Sequence, residues 1–251
     1  MSGSAPVFAV DKTELLDARP GLTVILTGPQ AHHAARVRRL RTGELVDLVD
    51  GYGCRASGIV GDDPTPDRVS ILLRTIDREA PRRPRVVVAQ ALIKGDRTDR
   101  AIETMTEVGV DEIIPWSAER SVVQWRGEKA VAGARRWETI ACEAAKQSRQ
   151  AWFPRVHPLC SLEGVCEVVT QAEFTVVLDV AGEPLSSMQV PTSGDLVVVV
   201  GPEGGLTANE IAQMRAVGAR LMRLGPSILR SATAGTVAAV ALLSRSPRWP
   251  S

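Results

Sequence analysis

The sequence is poor in the residues that build metal and redox sites. Its four cysteines, Cys54, Cys142, Cys160 and Cys166, form no C-x-x-C pair, and its three histidines, His32, His33 and His157, fit neither H-E-x-x-H nor C-x-x-C-H. No metal site and no disulfide framework is expected. Long apolar runs are missing too. The longest nearly uncharged apolar stretch, 234–243, falls well short of the roughly 18 residues a membrane crossing needs, and 1–10 has neither the basic start nor the apolar run of a signal peptide. A cytoplasmic protein without membrane attachment is expected. Nor does one sign of charge dominate. Thirty basic against twenty-nine acidic side chains give a net charge of +1, so a polyanionic partner would have to be held by a local patch.

What remains is the composition of a folded chain: 251 residues, 44% hydrophobic and 24% charged, enough for one large domain or two modest ones. The stretch 77–85 (D-R-E-A-P-R-R-P-R) has two prolines and no large apolar side chain, and reads as a linker. Before it, in 1–76, short apolar runs at 6–10, 22–27, 45–49, 56–60 and 69–76 are separated by turn residues and predict a small β-rich domain, interrupted by a helix over 30–40. After it, in 86–251, buried strands alternate with helices. Strands are expected at 86–92, 112–116, 174–179, 196–200 and 220–224, with helices at 97–108, 134–150, after Thr207 and from about Ser231. That alternation predicts an α/β domain with a mainly parallel sheet and helices on both faces.

Two loops in this second part can carry chemistry. In V-V-V-V-G-P-E-G-G-L-T-A-N-E (197–210), a strand runs into a glycine loop, and Thr207 with Glu210 forms a capping box that starts the next helix. The loop therefore lies at the carboxyl end of a sheet strand, where open α/β sheets bind ligands. It is neither G-x-G-x-x-G nor a P-loop, and Glu203 would repel a phosphate, so a neutral or cationic ligand is expected; a tight turn without a ligand is the other reading. The second loop, 224–231 (L-G-P-S-I-L-R-S), also joins strand to helix, with Ser231 as the expected cap. Ile228 and Leu229 offer an apolar wall. Arg230, at a helix start, suits a phosphate or an oxygen-rich base edge, or else pairs with a carboxylate. In the β-rich part, H-H-A-A-R-V-R-R-L-R (32–41) has four arginines and no acid from 28 to 43. It reads as a phosphate-contacting element or as a solvated helix face.

Taken together, H-H-x-x-x-V-R-R-L-R-T-G-E at His32, K-G-D-R at Lys94, T-E-V-G-V at Thr106, I-I-P-W-S-A-E-R-S at Ile113, E-A-A-K-Q-S-R at Glu143, G-P-E-G-G-L-T at Gly201 and L-G-P-S-I-L-R at Leu224 resemble the RsmE family of the SPOUT superfamily. That family methylates N3 of a uridine in small-subunit ribosomal RNA. The resemblance implies an N-terminal PUA-like β-barrel that binds RNA and a C-terminal SPOUT-type α/β domain with a trefoil knot that holds S-adenosylmethionine. It also implies a homodimer through the knots. Family cofactor contacts fall on Leu178 and Asp179, on Val200, Gly201, Pro202, Glu203, Gly204 and Gly205, and on 224–229, with Leu224, Ile228 and Leu229 among them. Arg230 and Glu203 are then the catalytic candidates, and His32, Arg36, Arg38, Arg39 and Arg41 the RNA contacts, with small-subunit RNA or the 30S particle as partner. The same loops would serve a methyltransferase for another RNA position, a ribose hydroxyl or a guanine nitrogen, or an RNA-binding assembly factor without catalysis. Two positions depart from the family. Pro6-Val7-Phe8 lacks its N-terminal arginines, and Ala232 stands where many relatives have Glu, which leaves proton acceptance to Glu203, water or the RNA.

Overall fold

Burial that alternates residue by residue marks Cys54–Val60 (β4) as a strand with one face on a core, and it pairs antiparallel with Leu45–Val49 (β3) and with Arg68–Arg78 (β5). With Val7–Ala9 (β1) and Thr23–Thr27 (β2) these form a five-stranded sheet in the order β1-β3-β4-β5-β2. A short helix between β1 and β2, Lys12–Leu15 (α1), is capped by Asp11. Phe8, Leu26, Leu48, Ile71 and Leu73 fill the core of the sheet. The computed structural model describes residues 5–249. They divide into two compact units, one running to Pro81 and including Ala145–Phe153, the other comprising Arg82–Ala144 and Pro154 onward.

Two features of the first unit differ from expectation. Strand β5 continues through Asp77 and Arg78, because Arg55 and Cys54 extend the ladder opposite them, so the segment outside strands is shorter than 77–85. The 145–153 segment also belongs with the β-rich unit: Gly53 N donates to Ala151 O and Phe153 N to Gly51 O, both at 3.0 Å. A side chain at Gly53 would meet Trp152 and the Glu79 carbonyl, both at 2.6 Å.

In the second unit, Arg85–Ala91 (β6), Glu112–Trp116 (β7), Arg155–Val156 (β8), Phe174–Pro184 (β9), Asp195–Val200 (β10) and Arg220–Arg223 (β11) build a six-stranded parallel sheet in the order β11-β9-β10-β6-β7-β8. The valine runs of β6 and β10 are buried on both faces. Val86, Val88, Leu196, Val198 and Val200 point into one core, and Val87, Ala89, Val197 and Val199 into the other. Helices Arg97–Glu107 (α3), Glu128–Gln147 (α4) and Ser231–Leu243 (α7) contribute Ile102, Met105, Trp137, Ala238 and Leu242 to the first core. Helices Leu162–Gln171 (α5) and Ala208–Ala216 (α6) contribute Val165, Val169 and Met214 to the second. Helix α4 starts earlier than the expected 134 and stops at Gln147, with Arg149 in the left-handed region at φ 57°. Helix α7 lies close on α3. A Cβ at Gly235 would stand 3.0 Å from Met105 Sδ, and the Thr104 and Thr236 hydroxyls are 2.8 Å apart.

Candidate active site

The middle of β9 and the carboxyl ends of β10 and β11 meet at a cleft of about 530 Å³, within the range of small-molecule sites. Strand β9 makes one wall by leaving its ladder. Leu221 of β11 pairs with Val177, but the next residue, Met222, pairs with Glu183, so 178–182 bow out from the sheet. The ladder resumes past Gly182, where a Cβ would stand 2.5 Å from Met222 N. The Gly182 carbonyl accepts from Arg223 Nη1 at 2.6 Å. Leu178, Asp179 and Val180 thereby face the cleft.

The glycine loop after β10 makes the floor. Its carbonyls are held by the protein: Val200 O accepts from Trp116 Nε1 at 3.1 Å, Gly201 O from Ser231 Oγ at 2.5 Å, and Pro202 O from Gly205 N at 3.0 Å. The capping box expected from Thr207 and Glu210 is present, with Thr207 N donating to Glu210 Oε2 at 2.7 Å and Glu210 N to Thr207 Oγ1 at 3.2 Å. Val200, Gly201, Pro202, Glu203 and Gly205 line the cleft; Gly204 does not, because the space for its side chain faces Arg120 Cβ, 3.2 Å away. Glu203 is exposed, and its Oε1 accepts a long 3.4 Å bond from Lys94 N.

The third wall is the loop 224–230. Leu224, Ile228 and Leu229 supply its apolar surface, and Ile228 is 82% exposed. Arg230, not Ser231, is the N-cap of α7, with φ −66° and ψ 147°. Ser231 instead turns its hydroxyl to Gly201 O while accepting from Gln90 Nε2 at 3.1 Å, a use that local capping rules cannot anticipate because both partners are distant in sequence. The Arg230 side chain lines the cleft, is exposed, and forms no ion pair among the described residues. Ala232 lines the cleft as well, so that position brings no carboxylate.

Sequence reasoning missed Arg97 and Leu206 as lining residues and Ser231 as a bracing one, whereas Asp179 and Ser227 lie where the family contacts were expected. Arg97 had a signal, the K-G-D-R motif that follows β6. The outward bow of β9 had none, since a register shift depends on a strand remote in sequence.

The basic segment belongs to the other compact unit. Gly28–His32 (α2) passes into a wider π-helical turn, His33–Val37, where Arg38 N reaches back to His33 O. The expected helix over 30–40 therefore ends early, and Arg39 stops it in the left-handed region at φ 53°. Ala31, Ala34 and Leu40 face the core, and His33 packs its ring edge-on against Phe8. His32, Arg36, Arg38, Arg39 and Arg41 are exposed, and none of these arginines has an ion pair among the described residues. No group of three or more His, Cys, Asp or Glu gathers as a metal site among the described residues, and no described helix is long and apolar enough to cross a membrane.

The two units correspond to two family models. One described as an RNA methyltransferase domain matches residues 79–243, and one described as an RNA methyltransferase PUA domain matches 26–70. The fold and its cleft are thus of the RNA methyltransferase class. Ribosomal RNA small subunit methyltransferase E of Mycobacterium bovis is 37% identical over 236 residues, 91% of this chain and 89% of that protein. The Bacillus subtilis protein of the same name is 32% identical over 221 residues, 84% and 86% of the two chains. A crystal structure of the Neisseria gonorrhoeae protein of that name, bound to S-adenosyl methionine, superposes with a TM-score of 0.83 at 26% identity and covers 96% of this chain and 97% of that one. The chain belongs to the ribosomal RNA small subunit methyltransferase E family.

Proposed function

We propose that the protein transfers the methyl group of S-adenosylmethionine to N3 of a uridine in small-subunit (16S) ribosomal RNA. The observation that carries this is the convergence of 178–180 and of the loops that follow β10 and β11 on one cleft, whose lining includes Arg230, an arginine without an ion pair among the described residues. The residues present suit this cofactor. Leu178, Val200, Leu224, Ile228 and Leu229 offer apolar surface for a heterocycle, and the carboxylate of Glu203 favours a cationic sulfur over a phosphate. Bound there, S-adenosylmethionine supplies an electrophilic methyl group.

The chain's own work is positioning and charge stabilisation. A uracil imide becomes nucleophilic at N3 when it gives up its proton, and the negative charge then spreads onto the two flanking carbonyl oxygens. Arg230 has a planar, two-pronged donor that pairs with no carboxylate among the described residues, and it holds that charge or the neighbouring phosphate. Glu203 lines the same cleft and accepts the N3 proton, a role that Ala232 has no side chain to fill. Exposed Arg36, Arg38, Arg39 and Arg41, with His32, hold RNA phosphates in the PUA-like unit.

The chain path supports the trefoil knot of the resemblance: β11 pairs with β9 at the sheet edge, and α7 then returns to pack on β10 and β6. Exposed Val180, Ile228 and Val237 support a homodimer through this domain, acting in the cytoplasm on small-subunit RNA or the 30S particle. Mass spectrometry of small-subunit RNA nucleosides from cells with and without the gene tests the proposal. Loss of 3-methyluridine alone is expected. Loss of a ribose- or guanine-methylated nucleoside instead, or of none, would overturn it.

A further inference from the structure

The glycine loop is braced from behind by a segment that does not itself line the cleft. Arg120, four residues beyond the end of β7, donates through Nη1 to both Gly204 O and Leu206 O at 3.3 Å. The next residue boundary is held from the other side, because Thr207 N donates to Glu210 Oε2 at 2.7 Å. The peptide joining Leu206 to Thr207 is thus gripped at its carbonyl by one charged side chain and at its N–H by another. The second oxygen of Glu210 accepts from Glu119 N at 2.8 Å, which closes a hydrogen-bonded circuit through Glu119, Arg120, Leu206, Thr207 and Glu210. Glu210 is 2% exposed. A charged residue so deeply buried needs its partners, and a circuit of charge-assisted bonds resists rotation of the peptides it holds. A capping box alone would not need the Glu119 bond.

We infer that Arg120 and Glu210 are positioning residues, which hold the 204–207 backbone in the conformation that receives S-adenosylmethionine without contacting it. This rests on the reading of the cleft as the cofactor site. The backbone of 200–206 forms the floor, so peptide rotation at Gly204 or Leu206 would change the shape the ligand meets. Gly204 and Gly205 make that rotation easy unless something opposes it.

Isothermal titration with S-adenosylmethionine, together with hydrogen exchange at the Gly205 and Thr207 amides, tests the inference. Arg120→Ala and Glu210→Gln are expected to weaken binding roughly tenfold or more and to speed exchange at these amides. Arg120→Lys should recover part of the affinity, since an ammonium can still donate to a carbonyl. Arg215→Ala, on the exposed side of α6, should bind as wild type. Arg120→Ala with wild-type affinity and exchange would overturn the inference, as would a lowered melting temperature with unchanged affinity. Should Arg120→Ala not fold, Arg120→Lys and Arg120→Gln carry the comparison, and equal affinity for all three of wild type, Lys and Gln would overturn it. A wild type that binds no S-adenosylmethionine would fell the reading of the cleft instead, and the exchange rates at Gly205 and Thr207 would still decide whether Arg120 holds the loop.

Discussion

Ser231, the first residue of α7, donates its hydroxyl to the carbonyl of Gly201, the first residue of the glycine loop, at 2.5 Å. The bond joins two walls of the cleft whose strands, β10 and β11, are not neighbours in the sheet. Gln90 Nε2 donates to the same hydroxyl from β6. Ser231→Ala should leave a half-buried carbonyl and a buried amide each short of one partner. It should cost about 1–3 kcal/mol in denaturant unfolding and weaken cofactor binding. A variant with unchanged unfolding midpoint and affinity would show that the two walls are held by other interactions.

Gly205 lines the cleft with φ +70°, and no atom stands within 4 Å of where its Cβ would be. A side chain there would be strained by the backbone and would enter open space at the lining of the cleft. Gly205→Val should lower S-adenosylmethionine affinity by roughly tenfold or more in isothermal titration. Gly204→Val, whose side chain would press on Arg120 and not on the ligand, should act through a shifted loop and lower the melting temperature as well.

Removing the charges of Arg36, Arg38, Arg39 and Arg41 should weaken RNA binding and reduce the slope of log affinity against log salt by about 0.7 for each phosphate that is no longer neutralised. Cofactor affinity should stay nearly intact. An unchanged salt slope would make the segment an ordinary solvated face.

At the other end of the parallel sheet, Glu112 Oε2 is hydrogen-bonded to His157 Nε2 at 2.6 Å, and its Oε1 accepts from Arg85 Nη1 at 2.5 Å. The His157 hydrogen bond, more than the charge of Arg85, holds the Glu112 carboxyl below the usual glutamate range. Its stabilising contribution is therefore complete above about pH 4.3 and fades as pH falls through the lowered folded value. Glu112→Gln should cost roughly 1 kcal/mol at pH 7, and its difference from wild type should shrink below about pH 4 in unfolding titrations. A difference independent of pH would mean that packing, not ionisation, carries the effect.

Arg230→Ala should slow single-turnover methylation by roughly 10²-fold at saturating cofactor while leaving cofactor affinity and melting temperature nearly unchanged. Arg230→Lys should restore part of the rate. A wild-type rate in Arg230→Ala would remove the arginine from the chemistry.

Much of this architecture was legible in the residue pattern. The valine runs of β6 and β10, buried on both faces, and the Thr207–Glu210 box are local signals, and so are the two loops at strand ends. Helix α5 was missed although Ser161 caps it and Leu162, Val165 and Val169 follow helical spacing, because it is only 10 residues long and carries Gly164 in its first turn. The bow at 178–182, the bond from Ser231 to Gly201 and the support from Arg120 lay beyond reach for a different reason. Each depends on segments tens of residues apart meeting at one place, and periodicity reports only on neighbours along the chain.

The most direct test gives the purified protein small-subunit RNA and S-adenosylmethionine labelled in its methyl group, digests the RNA to nucleosides and separates them. The account predicts label in 3-methyluridine and in no other nucleoside. Label in a ribose-methylated nucleoside or a methylguanine, or no transfer to either RNA or the 30S particle, would contradict it.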